Sequence, residues 1–503
     1  MKIISLYILV LILICTNSFS QKKNNSQYSA SIKAFDAYCQ QGLIDWKMPG
    51  MAVAIIKDGN VIFEKGYGVR KLNSTDAFDT QTIFGIASTT KAMTAMCIAM
   101  LVDEGKIKWT DPVIKYLPDF QLYDSYVTRE LQVRDLLLHN SGVGNTDYLW
   151  GNMDIPSDEI LHRMRLVEPT YSFRSGFIYQ NIFYLVAGQL IEKISGIPWD
   201  KFVEQRIFIP LGMNRTFSLY AKVNDSNQAT PHFNLNDTII EVEPWRTDAI
   251  APAGSVFSCV DDMSKWILCM SDSSKYNGGR LLSPESWKQL LKPQEIIKDE
   301  DEYYPTQTLT HPNFTSYGYG WFQQDYMGRK INFHTGSLEG DIAIACVIPE
   351  EHFGFYILGN LDHAELRHAL MFKSIDLFVT GGNRDWSKKF LKLYQSIKDS
   401  AKKYQKEDDA KRVLNTKPTL PLNNYTGTYS SPLYGEVVID EKNGQLKLNI
   451  NHILPVTLTH WNYDTFKGHY SKPHWLPSLI LFSLNTEGKI AGVEIDGQKF
   501  VKQ

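Results

Sequence analysis

Three short polar clusters have the residue types of nucleophilic catalysis. The first is Ser88-Thr89-Thr90-Lys91, at the mouth of the apolar run AMTAMCIAMLV. A serine hydroxyl is a weak nucleophile until a neighbouring base takes its proton. If Ser88 opens a helix, Lys91 lies one turn along the same face and its amine can reach that hydroxyl. Lysine acts as a base only where burial disfavours its charged form, and Met93, Met96 and Cys97 predict such burial. The helix N-terminus would add N–H groups and partial positive charge where an oxyanion develops. Spacing alone does not establish this, because Ser400-Ala-Lys-Lys403 repeats the pattern in a charged stretch where a solvated helix face explains it.

The second cluster is Tyr179-Gln180-Asn181, just before the helical run IFYLVAGQLIEKISG. Taken singly, its tyrosine reads as a core aromatic with a satisfied hydroxyl rather than as a catalytic group. The third is His334-Thr335-Gly336-Ser337, between the strand-like KINF and DIAIACVI, where Gly336 and Gly340 permit close backbone approach. Alone it reads equally as a polar turn, with His334 only packing. His139, in LLLHNSG, reads as structural, capping local backbone.

The elements that must position these clusters follow from periodicity. Residues 29–46 carry apolar groups at helical spacing (Ile32, Phe35, Tyr38, Leu43, Trp46), and AVAIIKDGNVIFEKGYGV predicts two strands around Asp58-Gly59. From Thr89 to about Leu219 the pattern is helical, and strands return in KINFHTG, DIAIACVI and GFYILGNLD. The economical reading is an α/β (α+β) domain: an antiparallel sheet made from both ends, flanked by helices, with a helical region inserted. Residues 385–416 are densely charged and helix-prone, and KPTLPLNN marks a boundary near 420. Beyond it, short strands joined by Asn443-Gly444, Glu487-Gly488 and Asp496-Gly497 predict a small antiparallel sheet or barrel.

The chain has 503 residues, 43% of them hydrophobic, enough for a large core plus an appended domain. A net charge of −3 and no concentrated cationic patch argue against a nucleic-acid partner. Lys2, the apolar run Ile3 to Cys15 and Ser18-Phe19-Ser20 read as a signal peptide cleaved before Gln21, giving a periplasmic or secreted protein with no integral membrane partner. Lipidation at Cys15 or an uncleaved anchor is the alternative. The remaining cysteines, Cys39, Cys97, Cys259, Cys269 and Cys346, are odd in number and do not form a disulfide framework. No zinc, nucleotide or phosphate-loop motif is present, so no cofactor is expected.

Together, Ser-Thr-Thr-Lys, Tyr-Gln-Asn and His-Thr-Gly resemble the three ordered motifs of serine β-lactamases and penicillin-binding proteins, with the tyrosine of the class C branch. PGMAVAIIKDGNVIFEKGYG, VRDLLLHNSGV, APAGSVFSCVDDMSKW and YGYGWF are similar to that family's phrasing over residues 30–380, and the tail resembles its appended lipocalin-like β domain. The resemblance implies segments 1–20 (signal), 27–382 (hydrolase domain), 383–419 (linker) and 420–503 (lipocalin-like). It also implies acyl transfer through Ser88, with Lys91 and Tyr179 sharing the proton. Asn181 would bind the substrate's amide, His334, Thr335 and Gly336 would line the site, and the N–H groups of Ser88 and Ser337 would form the oxyanion hole. Efficient β-lactamases of this class carry lysine where this chain has His334, a largely neutral residue that is common there in the family's peptidases and esterases, so the resemblance implies cleavage of amide bonds in small peptides, D-residues included, with carboxylesterase or weak β-lactamase activity at the same site as the alternatives. The expected partner is a small-molecule or peptide substrate. A non-catalytic penicillin-binding module is the alternative of a different class. The β domain would shape the substrate entrance or mediate self-association as a homo-oligomer.

Overall fold

The computed structural model describes residues 27–151, 153–301 and 303–503; the expected signal peptide and Cys15 lie outside them. Contacts divide the chain into two compact units, one from Met1–Lys108 and Ile194–Leu393, the other from Trp109–Lys193 and Tyr394–Gln503.

The first unit is built on an eight-stranded antiparallel sheet. Its strands are β1 (Gly50–Lys57), β2 (Asn60–Gly68), β3 (Glu295–Ile296), β4 (Thr315–Tyr317), β5 (Phe322–Tyr326), β6 (Arg329–Leu338), β7 (Asp341–Ile348) and β8 (Phe353–Gly359). They lie in the order β2-β1-β8-β7-β6-β5-β4-β3, so both ends of the expected domain do meet in one sheet. Asp58 and Gly59, with φ of 51° and 74°, form the two-residue turn that joins β1 to β2. Every residue of β1, β7 and β8 is buried, which explains why these strands read as continuous apolar runs. Both faces are covered: Phe355 packs edge-on against Phe35 of helix α1 (Ser29–Asp45), while a Cβ on the adjacent Gly354 would lie 2.3 Å from Ile267 of the helix Val260–Ser271. The short strands β3, β4 and β5 were not visible in the sequence pattern.

In the second unit, 109–193 folds into short helices, among them Ser125–Glu130, capped by Asp124, whose carboxylate accepts the N–H groups of Tyr126 and Val127. The C-terminal strands close into an eight-stranded up-and-down barrel, from Gly427–Ser431 to Gln498–Lys502, sealed by the pairing of Tyr429 with Lys502. Alternation puts Tyr429, Val437, Ile439, Leu448, Val456, Phe466 and Ile480 into one contiguous interior cluster. The charged segment is a single helix, Trp386–Ala410, whose buried residues are Trp386, Ser387 and Phe390. Among the described residues no helix is long and apolar enough to cross a membrane.

Candidate active site

In the first unit, Ser88 sits in the 3₁₀ turn Ala87–Thr89, which leads directly into helix α2 (Thr90–Asp103). Residues Thr90 to Leu101 of this helix are all buried, so it is apolar on every side and locked in the core. Lys91 is 0% exposed, and its Nζ lies 3.0 Å from Ser88 Oγ and donates to the Ala253 carbonyl at 2.8 Å. The i, i+3 relation foreseen from spacing therefore brings the Ser88 hydroxyl and the Lys91 amine together. Ala87 holds φ at 48°, a left-handed conformation that costs a non-glycine residue about 1 kcal/mol or more and re-aims the chain just before Ser88.

The third cluster lies inside strand β6 rather than in a turn. A Cβ on Gly336 would stand 2.2 Å from the Ile86 carbonyl, so only glycine lets this strand run against the backbone that carries Ser88. The ladder from β6 to β5 stops at Phe333, leaving His334 to Ser337 with no paired strand on that edge. On the other edge, Gly336 pairs with Ala343. Arg367, from helix Leu366–Ile375 and 3% exposed, donates Nη1 to the Gly336 carbonyl at 2.5 Å and to Ser337 Oγ at 2.7 Å. Its other nitrogens are held by Glu365 at 2.8 and 3.2 Å. Burial alone would raise the Glu365 pKa, but Arg367 and His368 overcome it and hold the carboxyl well below its ordinary range. The Gly336 carbonyl and the Ser337 N–H share one planar trans peptide and point in opposite directions, so fixing one fixes the aim of the other. Thr335 Oγ1 is hydrogen-bonded to the Tyr304 hydroxyl at 2.7 Å.

His334 is almost completely buried. Its Nδ1 is 2.6 Å from the Thr335 carbonyl, which can only accept, so Nδ1 carries the proton and Nε2 accepts from the Tyr317 hydroxyl at 3.0 Å. Burial, reinforced by the Lys91 charge, pushes its pKa down to about 3, so the ring is neutral at pH 7.

The second unit carries the Tyr-Gln-Asn cluster immediately before the helix Ile182–Ser195. Tyr179 packs against His139, ring centroids 4.3 Å apart and planes tilted by 31°, and the Gln180 N–H donates to His139 Nδ1 at 2.9 Å. Gln180 is clamped in turn, accepting from Thr146 Oγ1 at 2.8 Å and donating to the Gly144 carbonyl at 2.5 Å. Asn181 Nδ2 donates to Asp147 Oδ1 at 2.9 Å, which fixes which way its carboxamide faces. His139 thus supports local structure, and what it supports is the Tyr-Gln-Asn cluster. Sequence reasoning missed Asp147, Tyr304, Tyr317 and Arg367, none of which has a fixed spacing to the residue it holds.

Residues 35–379 match the family described as Beta-lactamase, and residues 411–502 match a Domain of unknown function (DUF3471). The unguisins hydrolase ungD′ of Aspergillus campestris is 27% identical over 430 residues, covering 80% of this chain and 77% of that protein. An octameric penicillin-binding protein homologue from Pyrococcus abyssi shares the fold at a TM-score of 0.61 and 20% identity, covering 94% of this chain and all of that one (100%). A D-stereospecific amidohydrolase from Streptomyces is similar at 0.55 and 21% identity, covering 69% of this chain and 98% of its own.

Proposed function

The chain belongs to the β-lactamase family, a family of hydrolases, and on that premise we propose that it is a serine hydrolase cleaving amide bonds of small peptides, D-residues included, through an acyl-enzyme on Ser88. The observation that carries this reading is the placement of Ser88 Oγ 3.0 Å from the amine of a lysine buried in the helix core. Ser88 Oγ attacks the substrate carbonyl as its single proton goes to the Tyr179 phenolate or the neutral Lys91 amine, which share it between them. The tetrahedral oxyanion is held by the N–H groups of Ser88 and Ser337. Collapse expels the amine, which takes that proton, and a water then releases the acid and restores the serine. Asn181 receives the substrate's own amide.

His334 favours amides and esters over β-lactams. A neutral ring engaged with Tyr317 and the Thr335 carbonyl supplies no fixed cation for a substrate carboxylate. Hydrolysis of carboxylic esters at the same serine is the second reading. The names of two similar proteins, a hydrolase of unguisins and a D-stereospecific amidohydrolase, make amides the substrates to try first.

Incubation with a fluorophosphonate and, separately, a penicillin, followed by mass spectrometry, is expected to show an adduct on Ser88. No adduct from either reagent overturns the enzyme, and a stable penicillin adduct without turnover identifies a binding module. Peptide p-nitroanilides are expected to turn over faster than nitrocefin, with p-nitrophenyl esters ranking the esterase reading. Ser88→Ala is expected to abolish all three activities. We also propose that residues 1–20 direct export; a secreted or periplasmic protein beginning at Gln21 is the expected product of N-terminal sequencing.

A further inference from the structure

Within the second unit, the barrel reaches the helical segment beside Asn181. The turn at 431–434, between the barrel's first strands Gly427–Ser431 and Gly435–Lys442, is built stiffly. Ser431 Oγ accepts the Tyr434 N–H at 3.3 Å, and Asn451 donates to the Tyr434 carbonyl at 3.2 Å while accepting the Glu436 N–H at 2.8 Å. Gly435 closes it at φ 84°, where a Cβ would stand 2.1 Å from Asn451 Oδ1.

This turn holds the helical segment at two points. Arg163 Nη1 donates to the Leu433 carbonyl at 3.2 Å, with its Nε on Glu159 at 2.7 Å. Tyr434 meets Tyr148 edge-on, ring centroids 4.7 Å apart and planes at 61°. Tyr148 opens the single-turn helix Tyr148–Gly151, too short to hold its own place without tertiary support. The residue before it is Asp147, which accepts from both Asn181 Nδ2 at 2.9 Å and Trp150 Nε1 at 2.8 Å. Tyr434 is therefore linked to Asn181 by one ring contact, one peptide bond and one hydrogen bond.

We propose that the barrel turn at 431–434 is a positioning element for substrate recognition, with Tyr434 holding, through Tyr148 and Asp147, the carboxamide of Asn181 in the orientation that reads a substrate amide. The inference rests on the assignment of Asn181 to that amide. Tyr434 is a positioning residue. It acts on binding and leaves the nucleophile and its base untouched.

The test compares the full chain with Tyr434→Ala and Tyr434→Phe on two substrates, an N-acylated D-alanine p-nitroanilide and p-nitrophenyl acetate, which has no side amide. Tyr434→Ala is expected to raise KM for the amide substrate about ten-fold more than for the acetate, since small misplacement of a recognising group is costly. Tyr434→Phe keeps the ring edge and loses only the hydroxyl's interaction with Tyr148, and is expected to restore most of the wild-type ratio. Hydrogen exchange is expected to accelerate at 145–151 and 181–184 in Tyr434→Ala and not in Tyr434→Phe. Equal effects on both substrates, or unchanged exchange at those residues, overturn the inference. If the wild type turns over neither substrate, the hydrolase reading fails by itself, and the exchange comparison still decides whether the barrel positions Asn181.

Discussion

Arg367 shows how a residue far from the motifs in sequence can govern one of them. Its guanidinium is the fork that holds both the Gly336 carbonyl and Ser337 Oγ, with Glu365 closing the other side. Arg367→Lys keeps the charge but loses the planar fork; if the Ser337 N–H holds the oxyanion as proposed, kcat for a p-nitroanilide is expected to fall about 10–100-fold with KM nearly unchanged, since such a donor acts in the transition state. Arg367→Met strands Glu365 and is expected to destabilise the protein by about 3–5 kcal/mol in a denaturant titration. The pair Glu365→Gln with Arg367→Met should recover most of that stability without recovering kcat; recovery of both would make Arg367 merely structural. The contact of Ser88 with Lys91 was legible in the sequence because a helix converts a spacing of three into contact. Arg367, Asp147 and Tyr317 were not, because each meets its partner only after distant elements pack, and no local periodicity records such a meeting.

At the scale of elements, the outer strand β2 carries a pH-dependent weakness. Glu64 is half-buried against the helix Val260–Ser271, and burial, followed by the charge of Asp261 and Asp262 against the opposing Lys265, pushes its pKa up to about 7. The folded state therefore holds a proton on Glu64 that the unfolded chain, with a pKa of 4.5, has given up. Linkage sets the sign: this group's contribution to stability is fullest below pH 4.5 and is lost as pH rises toward 7. Glu64→Gln is expected to flatten Tm across that window and to melt higher than wild type at about pH 8. An unaltered slope in the variant would assign the dependence to other groups. The strands around Glu64 were legible because β1 and β2 are long and joined by a clear turn. Strands β3 to β5 were not, because two to five residues are too few to display alternation.

At the scale of the molecule, all five described cysteines, Cys39, Cys97, Cys259, Cys269 and Cys346, are free, buried and within the first unit. Burial pushes the Cys259 and Cys269 thiols up to about 12 and the other three higher still. An aromatic disulfide reagent is expected to leave these five unmodified in the folded protein and to titrate them together on unfolding. Rapid reaction of any one in native buffer would show that the sheet unit opens locally. The sequence revealed the barrel through its turn dipeptides, but not its grouping with 109–193, since the Arg163 contact is to a backbone carbonyl and leaves no trace in side-chain pattern.

That grouping joins two stretches of chain separated by the whole of 194–393, about 200 residues. Ribosomes add about 5–20 residues per second, so the helical segment is complete for about 10–40 s before its barrel partner begins to emerge. Throughout that interval Tyr148 and Arg163 face neither Tyr434 nor the Leu433 carbonyl, while the strands that complete the first unit's sheet are still being added. The segment 145–163 is thus left without its barrel contacts for that time, and nascent chains stopped before the barrel should be nicked by protease first within 109–193.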